Sequence, residues 1–252
     1  MTIARAVTIL TIPELGPSLG RLVAPPPVVS DTGAFGVRLD AVRLALVSQL
    51  FDLAGDARRW AREGDTELAL ATLGRAAWDE AWQQAVQVAA TRLATSANAR
   101  LLAAAREVRL PASRTRDLPL DVDEVRALGA RLAAGAGPFH AALEQLDRAA
   151  HPVRGGKPST AAVSAWQDAL GTVARRLELA WLALEEVMAT EWRAAEAEVA
   201  DLRRWRRPVW PLWLFAALLF GGAIYAGLVL GGYVPVPAFL RDAVEALWSR
   251  WN

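Results

Sequence analysis

The stretch from Val209 to Val236 reads VWPLWLFAALLFGGAIYAGLVLGGYVPV and contains no charged residue. A helix from about Pro211 to Gly232 supplies the ~20 apolar residues needed to cross a hydrocarbon core ~30 Å thick. Pro211 suits a first helical turn, where its missing N–H is not needed. Trp205, Trp210 and Trp213 lie at one end and Tyr233 at the other, and such amphipathic rings favour the headgroup level. The reading is a single transmembrane helix over 208–233.

Its flanks set an orientation. Arg203, Arg204, Arg206 and Arg207 crowd the N-terminal side, whereas Arg241 and Arg250 on the other side are accompanied by Asp242 and Glu245. Arginines are retained on the cytoplasmic side, so the N-terminal bulk is expected in the cytoplasm and the C-terminal tail on the outer face of a bacterial inner membrane. The same arginines suit anionic lipid headgroups, at about 1 kcal/mol each. Val7 to Ile12 is too short for the apolar core of a signal peptide, which leaves insertion to the C-terminal segment, as in a tail-anchored protein.

Within the apolar run Ala223, Gly227 and Gly231 recur every fourth residue. That spacing puts small side chains on one helix face, where a second membrane helix packs closely. After Val234-Pro235-Val236-Pro237 the tail AFLRDAVEALWSRWN places Leu240, Val244, Leu247, Trp248 and Trp251 on one side. This is the pattern of a short amphipathic helix over 234–252, lying in the interface with Trp248 and Trp251 as anchors or docking on a partner subunit.

Upstream the period is helical. From Thr160 to Arg207 the positions Val163, Trp166, Leu170, Val173, Leu177, Ala180, Leu184 and Val187 alternate steps of three and four. The stripe then shifts to Met188, Trp192, Ala195, Val199 and Leu202, in the manner of a stutter. Ser159 or Thr160 is the expected N-cap. Three more helical regions precede it: Leu39 to about Arg62; Thr66 to about Arg109, with bends at Gly74 and near Ser96; and a third capped by Asp121, interrupted at Gly135-Ala136-Gly137-Pro138 and resuming to Ala150. Four amphipathic helices with short connections pack most simply as an elongated bundle over 37–207. Residues 1–36 differ, being rich in Pro and Gly with no evident helical period, and are expected to form an extended arm on the chain's own bundle or on a neighbour. The fold class is all-α, a cytoplasmic helical bundle followed by one C-terminal transmembrane helix and a short amphipathic tail helix.

Composition narrows the chemistry. The 252 residues carry a net charge of +1 and no cysteine, which excludes thiolate catalysis, disulfides and iron–sulfur clusters and argues against nucleic acid as a partner. A mean hydropathy of +0.20 excludes a disordered chain. Basic charge is almost all arginine, with Lys157 the only lysine, and alanine is abundant, as in GC-rich bacterial coding. The only histidines, His140 and His151, lie at a helix start and a helix end, with Glu144 the carboxylate nearest in register to His140. No Glu-x-x-His pair builds a bundle metal site. Gly155-Gly156-Lys157-Pro158-Ser159 lacks the first glycine and the Ser or Thr of a phosphate-binding loop. Glu185, Glu186, Glu191, Glu196 and Glu198 are expected on the solvated side of the long helix.

The expectation is a chain without catalytic residues, metal or cofactor. It is read as a single-pass accessory subunit that packs among other integral membrane subunits and anionic lipids in an energy-transducing (photosynthetic or respiratory) or secretion complex, with pigment contact left open. The competing readings are a membrane-permeabilising effector driven by its bundle, and a tethered signalling adaptor.

Overall fold

The computed structural model describes residues 10–23, 33–155, 157–204 and 210–233, together with positions 235, 238, 241–242 and 248–249; residues 33–38, 210 and 211 are described by their backbone alone. The helices are α1 (Gly16–Val23), α2 (Gly33–Glu63), α3 (Thr66–Thr72), α4 (Arg75–Glu107), α5 (Ala112–Thr115), α6 (Val122–Ala133), α7 (Gly137–Ala150), α8 (Thr160–Arg204) and α9 (Trp210–Leu230), with 3₁₀ turns at Ala134–Ala136 and His151–Val153. No strand occurs among the described residues. The chain divides into two units, Met1–Arg203 and Arg204–Asn252.

The first unit is a helical bundle built on α8. Ser159 caps α8 by accepting the Ala162 N–H at 3.2 Å. The three-and-four spacing puts Val163, Trp166, Leu170, Val173, Leu177, Ala180 and Leu184 into the core, and the stripe then moves to Met188. Polar contacts fix the direction of each neighbour. Arg43 on α2 meets Glu185, whereas Arg58, further along α2, donates to the Pro13 carbonyl at 2.9 Å. The adjacent Thr11 is held by Gln167, so α2 runs antiparallel to α8. Arg131 reaches Glu191 and Gly135 touches Ala183, so the α6–α7 arm also runs antiparallel to α8. α4 runs parallel to it, because Glu107 at its end pairs with Arg203.

Local sequence explains the boundaries. Asp121 caps α6 in a reciprocal capping box with Glu124. Asp65 caps α3 through the Leu68 N–H at 2.9 Å. The expected bend at Gly74 is a full break between α3 and α4: a Cβ there would lie 2.9 Å from the Leu70 carbonyl oxygen, which only glycine tolerates. At Ser96 α4 is continuous, running from Arg75 to Glu107 without interruption. The interruption at Gly135 is a single 3₁₀ turn, after which α7 resumes with proline near its start.

The arm departs from its expected extended form. Residues 16–23 are helical, because Leu15, Leu19 and Leu22 follow a four-and-three spacing that buries all three in the bundle's own core. Leu10 is buried with them. The described part of the arm therefore packs on its own chain. Four tryptophans, Trp78, Trp82, Trp166 and Trp181, fill the interior of the same core. A second, smaller cluster of Leu101, Ala104 and Val199, with Leu202 against it, joins the ends of α4 and α8.

In the second unit α9 carries a window, Leu212–Leu230, with a mean hydropathy of 2.1 and none of it buried. It is the one helix among the described residues long and apolar enough to cross a membrane. The sequence-based tail helix over 234–252 falls largely outside the described residues, although positions 238, 241–242 and 248–249 are helical.

Candidate functional site

Two regions hold the residues singled out by sequence, and α9 is the first. Leu212, Trp213, Leu218, Phe220 and Leu230 are all more than three-fifths exposed, so water would meet a continuous apolar surface. Around Gly221, Gly222 and Gly227 there is open space where a Cβ would stand. Ala223 and Gly227 lie within the helix, and Gly231, whose N–H donates to the Gly227 carbonyl at 2.9 Å, directly follows its last residue. The helix ends at Leu230: Tyr233 N–H donates to the Leu228 carbonyl at 2.9 Å and Gly232 N–H to the Val229 carbonyl at 3.1 Å. Gly232 takes φ +75°. These paired bonds are a Schellman motif with glycine in its left-handed position. The Tyr233 ring folds back over Gly231, 2.9 Å from where a Cβ would sit.

Of the aromatic anchors, Trp213, Tyr233 and Trp248 are exposed. Trp210 begins α9, and its side chain lies outside the described residues, as do Trp205 and Trp251.

The second region is the end of α8. Arg203, half exposed in its last turn, pairs with Glu107. Its Nε and Nη2 donate to the two carboxylate oxygens of Glu107 at 2.9 and 3.3 Å, a fork geometry in which the hydrogen bond to Glu107 raises the guanidinium pKa. Two helical turns back, Arg100 pairs with Glu196 at 3.5 Å and lies 6.0 Å over the Trp192 ring. Arg204 closes α8, whereas Arg206 and Arg207 lie outside the described residues.

The acidic residues of α8 are less solvated than their sequence suggests. Glu185 accepts the Trp181 indole N–H at 2.6 Å and faces Arg43 at 3.7 Å, with only 12% of its side chain exposed. Burial pushes its carboxyl above the usual carboxylate range, against the opposing pull of the Trp181 bond and Arg43. Arg43 is the one buried charged residue among the described positions; it also binds Asp40 at 2.6 Å, and its Nε has no hydrogen-bond partner. Glu191 receives a bidentate bond from Arg131 on α6 at 2.7 and 3.1 Å. The two antiparallel arms and α4 are thus each tied to α8 by an arginine–glutamate pair. Sequence missed these because their partners lie 60 to 142 positions away.

His140 finds Asp79 of α4, not Glu144, with Nδ1 3.6 Å from Oδ1. That pair stands beside Phe139 and Trp82, whose rings are 5.7 Å apart. No group of three metal-ligating side chains occurs among the described residues. A cleft of about 720 Å³ opens between α4 and α6, lined by residues that include Gln83, Gln87, Thr91, Val125, Arg126 and Gly129. Comparison of the chain with protein-family models, curated proteins and solved structures finds no match.

Proposed function

We propose that this chain is a single-pass, non-catalytic subunit of a larger bacterial membrane complex, with its helical bundle on the cytoplasmic side and α9 packed among other membrane helices. The observation that carries the reading is the exposure of α9: Leu212–Leu230 presents an uninterrupted apolar surface with no buried share. Such a surface requires lipid or other apolar helices around it. Open space at Gly221, Gly222 and Gly227 supports close approach by a neighbouring span. The polar residues of the bundle support a scaffolding role, since Arg43, Arg131 and Arg203 join helices to one another.

The test is solubilisation of native membranes in mild detergent, followed by affinity recovery of the tagged chain with mass and stoichiometry determination. Recovery with integral membrane partners at fixed ratio is expected, and Gly227→Leu should release them while leaving the bundle's helicity unchanged. Recovery as a monomer would overturn the reading. Recovery as a self-oligomer, together with toxicity on expression that Gly227→Leu abolishes, would replace it with a membrane-permeabilising effector.

A further inference from the structure

A second basic segment lies about ninety positions from Arg203 in sequence and begins beside it in the fold. Residues 106–117 read REVRLPASRTRD, with Arg106, Arg109, Arg114 and Arg116 all exposed. The acids among them are Glu107, which Arg203 engages through both oxygens, and Asp117. The small apolar cluster of Leu101, Ala104 and Val199 fixes the end of α4 against the end of α8. The connection then returns along α4, where the Leu120 N–H donates to Asn98 at 2.9 Å. The acidic start of α6, with Asp121, Asp123 and Glu124, is therefore set back from Glu107 by about 13 Å of helix rise.

The turn that opens this segment has an unusual residue in it. Leu110 N–H donates to the Ala105 carbonyl at 2.9 Å and Arg109 N–H to the Arg106 carbonyl at 3.1 Å. This is the same Schellman closure as at the end of α9, yet its left-handed position, φ 56°, is held by Arg109. Glycine fills that position at little cost and a side chain does not. An arginine kept there projects charge from the end of α4 where the backbone alone would favour glycine.

The geometry points to residues 106–117 as an anionic-lipid-binding surface. It rests on the membrane reading of α9. Arg203 is seven residues before Trp210, so the chain holds it within about 25 Å of the first residue of that helix. A segment with four arginines against two acids, of which Glu107 is already engaged by Arg203, matches the charge of phosphatidylserine-type headgroups. The interaction is electrostatic and is weakened by salt.

The chain has no cysteine, so Ser113→Cys gives one attachment point for a fluorophore in the middle of the segment. The labelled full chain is placed in nanodiscs of phosphatidylcholine alone or with phosphatidylserine, each containing a headgroup-attached quencher. Quenching is expected to be several-fold stronger with phosphatidylserine and to fall to the phosphatidylcholine level in high salt and in Arg106→Gln/Arg109→Gln/Arg116→Gln. Circular dichroism checks that this variant retains its helices. Equal quenching in both lipids, or quenching unchanged in the triple variant, would overturn the proposal, as would a response to added oligonucleotide or acidic protein in place of phosphatidylserine. A second label at Ala217→Cys, read with an acyl-chain quencher, separates the failures. Quenching there with no lipid response at Ser113→Cys refutes the surface alone, whereas its absence refutes the membrane reading and the surface with it.

Discussion

Replacing Gly135 by alanine tests whether the α6–α7 arm approaches α8 as closely as the structure shows. A Cβ at position 135 would stand 2.6 Å from the Ala183 Cβ, when carbon atoms in contact prefer about 3.5 to 4.0 Å. The 3₁₀ turn or α8 must then move by about 1 Å. Overpacking of this kind costs about 1–3 kcal/mol. The lost flexibility of glycine in the unfolded chain offsets about 0.4–1 kcal/mol, so a net destabilisation of about 1–2 kcal/mol is expected. Ala183→Gly alone should cost about 1 kcal/mol through helix propensity. In the double variant the new Cβ meets only the Ala183-position Cα, at 3.8 Å, which is ordinary contact. The pair should therefore be no less stable than Ala183→Gly alone, giving a coupling of about 1–2 kcal/mol in a double-mutant cycle. Urea unfolding of the full chain in mild detergent, followed by far-ultraviolet circular dichroism, measures all four proteins. Wild-type stability in Gly135→Ala, or strict additivity in the double variant, would refute the close approach.

Three further outcomes follow from other contacts. Trp78 donates its indole N–H to the Leu73 carbonyl at 3.2 Å, whereas the Trp82 indole N–H is buried without a partner; Trp78→Phe should therefore be more destabilising than Trp82→Phe by about 1–3 kcal/mol in the same urea assay. Leu101→Ala, in the small cluster with Val199, should cost about 2–3 kcal/mol, and its main effect should be faster hydrogen exchange over residues 101–107 with little change around Trp166. Glu185 has a folded-state pKa raised above its unfolded value by burial, so the folded chain binds the extra proton. Its contribution favours folding below the unfolded carboxylate pKa and is lost as pH rises through the folded one. Urea stability between pH 4 and neutrality should show this falling component in wild type and lack it in Glu185→Gln; the same slope in both proteins would remove the assignment.

What the sequence discloses about the bundle is the information carried by spacing along one helix. The apolar positions of α8 from Val163 to Leu184 are buried as their period requires, and the shift at Met188 is present. Capping chemistry is equally local, so Asp121 and Ser159 stand where their side chains suggest. The arm was opaque for the opposite reason. Gly16, Pro17 and Gly20 weaken a helical reading, yet Leu15, Leu19 and Leu22 bury one face against the core and stabilise eight residues that would not be helical alone.

Charges were the least legible because their state depends on partners that only the fold supplies. Glu185 and Glu186 are neighbours in sequence, but one is largely buried against Arg43 and Trp181 and the other is exposed. Arg203 belongs by sequence to a juxtamembrane run, and by structure to a fork with Glu107 that joins two helices. This exchange of roles bears on how such a run works. A guanidinium whose Nε–Nη2 edge is held by a carboxylate keeps its other edge for a phosphate. On the proposal above, the basic charge on the 106–117 connection adds to that of the run 203–207. The Arg203–Glu107 fork, together with the cluster of Leu101, Ala104 and Val199, sets the start of that connection beside the end of α8.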